Sequence, residues 1–369
     1  MLYYLSFLRL PNKSVNLSHK LIFSVQITND LRTEYYDNQT GLTIDAALLI
    51  QNRPSKPIKL PGILTYKSNK DSYKLIEIEG LSSMGIRPGD KVSLLVWARG
   101  SSTRPLLSDL KAHSPDCKTP IPVTSLPITM ATNVPHSDKH SRIQRSFMFE
   151  KSLIHILEDT SYDLDKVGAN CWRWQLVNMF QKLWDSGLAM SAILTEKISS
   201  EKYNFFGGSS KPLRIMELGT GTGILSITLA ALLEKTPHKH TIVATDLAPA
   251  LPLLKQNVDR NSRLFNKNDV FVRELAWGSQ SPLEKEHFDV IIAADVAYNT
   301  SSFPMLLSTL DTLFQVNSSA KFILGYKYRD YGEADFWELL KNINLNARLI
   351  ESTMGEQGSA TEIWEFTKE

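Results

Sequence analysis

The rhythm of apolar and polar positions changes along this chain. Up to about residue 100 the apolar runs are short, β-branched or alternating: Tyr3–Leu10, Leu21–Thr28, Tyr73–Glu79 and Lys91–Trp97. Such runs predict strands. Turn signals such as Asp37-Asn38 and Arg87-Pro88-Gly89-Asp90 separate them, and no long 3.6-residue period interrupts. A small β-sandwich and a β-grasp module fit equally well. Residues 101–142 lose all periodicity and hold six of the 17 prolines among many Ser and Thr, which reads as a linker.

From about residue 148 the pattern turns helical, at Glu150–Glu158, Trp172–Trp184 and Ala189–Ile198, and then alternates. Strands are expected at Leu213–Leu218, Thr241–Asp246, Val270–Leu275, Asp289–Asp295, Phe322–Tyr328, Arg348–Thr353 and Thr361–Thr367. Helices are expected at Gly223–Leu233, Ala248–Asn261, Phe303–Val316 and Ala334–Leu345. The early strands are continuously apolar, as in a parallel sheet covered on both faces. Only a glycine-containing segment parts the last two, so they should form an antiparallel hairpin. The expected plan is a β-rich accessory domain (1–100), a Pro/Ser-rich linker (101–147) and an α/β domain (148–369). The α/β domain should hold a Rossmann-like seven-strand sheet whose last strand is antiparallel.

With 369 residues, 42% of them hydrophobic and 22% charged, the chain is in the globular range and has room for more than one domain. No apolar stretch approaches the ~18 residues of a membrane-spanning helix. The N-terminal run MLYYLSFLRL lacks a basic lead and a small-residue cleavage site, and reads as a strand rather than a signal peptide. Cys117 and Cys171 are too few for a disulfide framework or a zinc site, which points to the reducing cytosol or nucleus. The net charge of +2 hides a split, because residues 1–150 carry +7 and the remainder −5.

The candidate chemistry is concentrated in Glu217-Leu-Gly219-Thr-Gly221-Thr-Gly223, where an apolar strand runs into a glycine turn that opens a helix. Glycine lets the backbone turn tightly and approach a ligand. The dinucleotide fingerprint GxGxxG competes, but Ile224 stands where it needs a third small residue. The Glu217 carboxylate would repel a pyrophosphate and suits an uncharged or cationic ligand. Asp246, at the end of the second strand, is placed to accept ribose hydroxyls from any nucleotide cofactor.

The strand and turn from Glu217 to Gly223 resemble motif I of the class I, seven-strand S-adenosylmethionine-dependent methyltransferases. Two further segments, Leu275-Ala-Trp277-Gly278 and Asp295-Val-Ala-Tyr298, resemble family 16 of that class, whose members are mostly protein-lysine methyltransferases. The resemblance implies S-adenosylmethionine as cofactor, held by Glu217, Gly219, Gly221, Gly223, Asp246 and Leu247. It further implies Trp277 against the adenine, Ala294 beside it, and Trp172 lying over the cofactor. Asp295 and Tyr298 would line the channel that admits the target amine, as the catalytic pair. Ala276 departs from the family's usual aspartate, which removes a polar contact to the adenine.

The N-terminal portion and the Asp165–Trp172 segment look most like fungal members, some of which act on translation elongation factors. The resemblance therefore implies a protein substrate such as an elongation factor or ribosomal protein, without nucleic-acid or membrane partners, on a monomeric cytoplasmic or nuclear enzyme. Two alternatives stay open. One is a methyltransferase for RNA or a small molecule, with Lys56, Lys59, Lys67, Lys70 and Lys74 as a phosphate-facing patch. The other is a non-catalytic scaffold with a vestigial methyltransferase fold. The β-rich module is expected to select or dock the substrate. No P-loop, zinc-spaced Cys/His cluster or nucleophile elbow is present.

Overall fold

The computed structural model describes residues 2–111, 119–134, 138–160, 181–199, 211–297, 299–328, 334–353 and 360–368. The N-terminal strands are β1 (Tyr4–Arg9), β2 (Ser14–Asn16), β3 (Leu21–Thr28), β4 (Leu42–Ile50), β5 (Ile58–Tyr66), β6 (Ile76–Ile78) and β7 (Lys91–Ala98). They continue through β8 (Val123–Ser125), β9 (Ile128–Ala131), β10 (Arg142–Phe149) and β11 (Ser152–Asp159). One three-stranded sheet runs β1-β3-β6, and a larger one runs β11-β10-β8-β7-β4-β5 with β2 and β9 at its side.

Two expectations are corrected here. The stretch 101–147 is no linker, because β8 and β9 both pair with β7, and β10 pairs with β8. Residues Glu150–Glu158 form no helix. They supply the turn and second strand of a hairpin in continuous register from Arg142↔Asp159 to Phe149↔Ser152, with Glu150 at φ 52° in its turn. An eight-residue apolar run cannot be assigned to helix or strand by periodicity alone. The strands β4 and β5 went unpredicted: Ala46-Ala47-Leu48 is a helix-former's composition, and β5 carries Pro61-Gly62.

The C-terminal elements follow the expected order: α1 (Asp185–Ser199), β12 (Arg214–Leu218), α2 (Ile224–Leu233), β13 (Thr241–Asp246), α3 (Leu251–Asn261), β14 (Asp269–Glu274) and β15 (Val290–Ala294). After them come α4 (Phe303–Val316), β16 (Lys321–Lys327), α5 (Ala334–Asn342), β17 (Leu345–Ser352) and β18 (Thr361–Lys368). The seven strands order as β14-β13-β12-β15-β16-β18-β17, parallel except for β18, which is antiparallel to both neighbours. Strand order reverses between β12 and β15, so the carboxyl ends of β12, β13 and β15 flank the crevice where open α/β sheets bind ligands.

The two parts share buried surface. One core cluster runs from Tyr4, Ile121, Phe147 and Ile156 of the N-terminal sheets to Leu188, Ile193, Ile215 and Ile227 around the parallel sheet. Arg145 of β10, 1% exposed, pairs with Glu158 and donates to the carbonyls of Leu5 (2.9 Å) and Pro122 (3.0 Å) and to the Ser6 hydroxyl (3.1 Å). A guanidinium suits this task because its fixed fork serves several acceptors at once.

The free edge of β11 is closed by side chains rather than by another strand. Asn261 exchanges hydrogen bonds with the backbone of His155 (2.9 and 2.7 Å), and Asn257 with that of Leu157 (2.8 and 3.0 Å). Four residues of helix rise roughly 6 Å, close to the two-residue repeat of a strand, so the pair falls in register with alternate positions of β11. An edge that would invite foreign strands is thereby satisfied within the chain.

Candidate active site

Motif I is shaped by its glycines and by a ladder of hydroxyls. Gly219, Gly221 and Gly223 have φ of 64°, 58° and 90°, all in the region L side chains avoid. A Cβ at Gly219 would stand 3.1 Å from Val296 Cγ1 and 3.2 Å from the Trp277 ring, and one at Gly223 would stand 2.7 Å from Leu254. Thr245 Oγ1 donates to the Glu217 carbonyl (2.6 Å), and the Thr220 amide donates to the Thr245 carbonyl (2.9 Å), tying β12 to β13 across the turn.

This turn opens onto a cavity of about 280 Å³. Its lining includes Glu217, Gly219, Gly221, Asp246, Leu247, Trp277, Ala294 and Asp295, which brings together most of the residues expected from sequence. Gly223 is not part of the lining; it heads α2 just behind the turn. Trp172 and Tyr298 lie outside the described residues.

Both motif acids are buried. Asp246 accepts from the Gly221 amide (2.7 Å) and the Leu247 amide (2.7 Å), and burial still pushes its carboxyl up to about 6. Glu217 accepts from the Ser226 hydroxyl, yet burial, reinforced by the neighbouring Asp246 charge, raises it to about 8. Taking a carboxylate out of water without a matching cation disfavours its charged form. These two groups therefore favour a ligand that brings positive charge or hydroxyl donors.

Asp295 directly follows β15 in the left-handed region at φ 58°, a conformation Asp tolerates better than most residues. Its Oδ2 accepts the Ser186 amide at 2.9 Å, and its own amide donates to the Gly325 carbonyl at 3.0 Å. The carboxylate thus faces the cavity while fixing the first turn of α1.

The opposite wall was missed from sequence. Lys182, Trp184 and Gly187 line the cavity, with the Lys182 ammonium 4.2 Å from the centroid of the Trp184 ring. A cation over an indole face is held by the ring quadrupole. The available signal is the Trp184-Asp185-Ser186-Gly187 run at the start of an apolar helix. Asp185, fully buried, accepts from Tyr4 Oη at 2.8 Å and pairs with Lys327.

The lysines that an RNA-directed alternative would use are spread out. Lys56, Lys59, Lys67, Lys70 and Lys74 are all exposed, but Lys59 lies near the start of β5 and Lys67 just past its end. Lys74 is paired with Asp71 at 2.6 Å.

Residues 172–343 match the family model described as lysine methyltransferase. Protein N-lysine methyltransferase METTL21A of Xenopus tropicalis is 30% identical over 46% of this chain and 70% of its own length. The chain belongs to this lysine methyltransferase family. Two further relatives are a UPF0665 family protein of Schizosaccharomyces pombe (32% identical, covering 44% of this chain and 47% of that protein) and EEF1A lysine methyltransferase 3 of Xenopus tropicalis (28%, 42% and 62%). The chain spans about half the length of several curated relatives it matches.

The cavity also fits the family's cofactor, S-adenosylmethionine. Gly219 leaves room that a Cβ would fill, and two buried acids await hydroxyl and cationic partners. Among the described lining residues Lys182 is the one basic group, and Glu217 beside the glycine turn disfavours a pyrophosphate there.

Proposed function

We propose that this protein transfers a methyl group from S-adenosylmethionine to a lysine side chain of a protein. The observation that carries the reading is the pair Glu217 and Asp246, buried side by side on one cavity behind a glycine turn. When bound, the cofactor supplies an electrophilic methyl on a sulfonium. The residues divide the remaining work. Asp246 would accept the ribose hydroxyls, Glu217 would take the cationic amino-acid end, and Leu247, Leu275 and Trp277 would give the base an apolar slot. Ala276 offers no carboxylate to the adenine amino group, so packing against Trp277 carries its recognition.

A free lysine has a pKa of ~10.4, so presenting it as a neutral amine at pH 7 costs about 4.6 kcal/mol. Excluding water and placing it beside a cationic ligand both lower that cost. In this reading Asp295 borders the amine's path, a role the family resemblance implies for Tyr298 as well. No strong base is needed once the amine is desolvated and aligned.

We further propose a translation elongation factor as the substrate, a monomeric enzyme, and a cytoplasmic or nuclear location. The test is transfer of labelled methyl from the cofactor to proteins of a lysate. Label on a protease-sensitive, nuclease-resistant acceptor, lost in Asp246→Ala, supports the reading. Absence of label, or an acceptor removed by nuclease, rejects it.

A further inference from the structure

The loop after β3 reaches the wall of the cavity. The Asp30 carbonyl accepts from the Lys182 ammonium, and its carboxylate Oδ2 accepts from the Asp185 amide at 3.2 Å. Asp30, Lys182 and Asp185 are all nine-tenths or more buried. The segment 182–187 contributes Lys182, Trp184 and Gly187 to the cavity and reaches Asp295 through the Ser186 amide. Lys327 of β16 holds the same Asp185 from the other side, and Tyr4 of β1 donates to it. Two carboxylates and two ammoniums therefore share one buried cluster. A cavity-lining segment is held between the N-terminal sheets and the parallel sheet.

We propose that Asp30, although it belongs to the β-rich N-terminal part, is a positioning residue for the methyl-donor site: it fixes the 182–187 wall by capping α1 and anchoring Lys182. This rests on the reading of the cavity as an S-adenosylmethionine site. It differs from a docking role for the N-terminal part, because the effect falls on the cofactor rather than on substrate selection. The carboxylate is the part of Asp30 that a substitution can change, since its carbonyl survives in any variant. Asp30→Ala leaves the Asp185 amide buried without its acceptor. Asp30→Asn keeps an oxygen for that amide. Asp30→Glu keeps the charge but displaces the oxygen by one methylene.

The experiment is calorimetric binding of S-adenosylmethionine to the full-length protein and its variants. It is joined to hydrogen exchange of the Asp185 and Ser186 amides. Asp90→Ala is the control, a comparably buried acid of the N-terminal part that pairs with Arg53 and does not touch the wall. Asp30→Ala is expected to weaken binding about tenfold and to speed exchange of those two amides, as loss of one buried hydrogen bond implies. Asp30→Glu should lose part of the affinity, Asp30→Asn should recover most of it, and Asp90→Ala should bind like the wild type. Should Asp30→Ala not fold, Asp30→Glu against Asp30→Asn decides. Unchanged binding and exchange in Asp30→Ala and Asp30→Glu, or an equal loss in Asp90→Ala, would overturn the proposal. A wild-type protein that binds no S-adenosylmethionine overturns the cofactor reading instead, while the exchange of the two amides still tests Asp30.

Discussion

The parallel sheet and the N-terminal sheets contribute to one site in different ways. The parallel sheet carries the chemistry-bearing groups at the carboxyl ends of β12, β13 and β15, where topology opens a crevice. None of the cavity's described lining residues comes from the N-terminal sheets. Their influence passes through second partners: Asp30 to the 182–187 wall, and β11 through Asn257, whose amide also donates to the Thr222 carbonyl in the glycine turn at 2.8 Å. A region can be absent from a binding surface and still determine its shape.

The hardest test of this comparison is to remove the N-terminal sheets. Deleting residues 1–140 strips Tyr4, Asp30 and Ile121 from shared buried clusters. The expected outcome is loss of soluble folded protein, so cofactor binding and methylation vanish together; a soluble fragment that still binds cofactor by calorimetry would restore an independent docking module. Next in size is Arg145→Met, which leaves Glu158 as an unpaired buried charge and should cost about 3–5 kcal/mol in denaturant titration. Gly219→Ala acts on the other sheet alone. Its Cβ would press on Trp277 and Val296 at a φ of 64°. We expect a loss of about 1–3 kcal/mol in stability and a larger proportional loss of cofactor affinity.

The smallest effect is on pH. The raised Glu217 and Asp246 carboxyls bind protons in the folded state that the unfolded chain has already released. Through these groups the ligand-free fold should therefore lose stability as pH rises from about 5 to 8. Binding of a cationic ligand should release protons and tighten over the same range. Glu217→Gln should shrink both slopes in thermal melts and in calorimetry across buffers of different ionisation enthalpy.

The two regions were also unequally legible in the sequence. Buried parallel strands read as unbroken apolar runs bounded by glycine or acid, and Thr241–Asp246 and Phe303–Val316 form over the residues their patterns predict. Motif I and Asp246 were legible because glycine spacing and strand-end acids are local features, whereas Trp277 came from the family resemblance alone. The N-terminal pairing was not. Val123–Ser125 and Ile128–Ala131 are too short and proline-flanked to show a period, and they become strands by pairing with β7 on one side and with β10 or β2 on the other. Ser152–Asp159 looks helical until Arg142–Phe149 lies beside it. Asp30, Asn257 and Lys182 were equally hidden, since each acts on a partner more than 30 residues away.

The asparagine seam along β11 has a consequence for how the molecule comes apart. Asn257 serves both that edge and the glycine turn, and Asn261 serves the edge beside it, so neither sheet can release the other without exposing its own unpaired backbone. Such a joint leaves little for a half-melted species to gain. Heating should therefore produce a single endothermic peak whose calorimetric and van't Hoff enthalpies agree, rather than two separate transitions for two sheet systems.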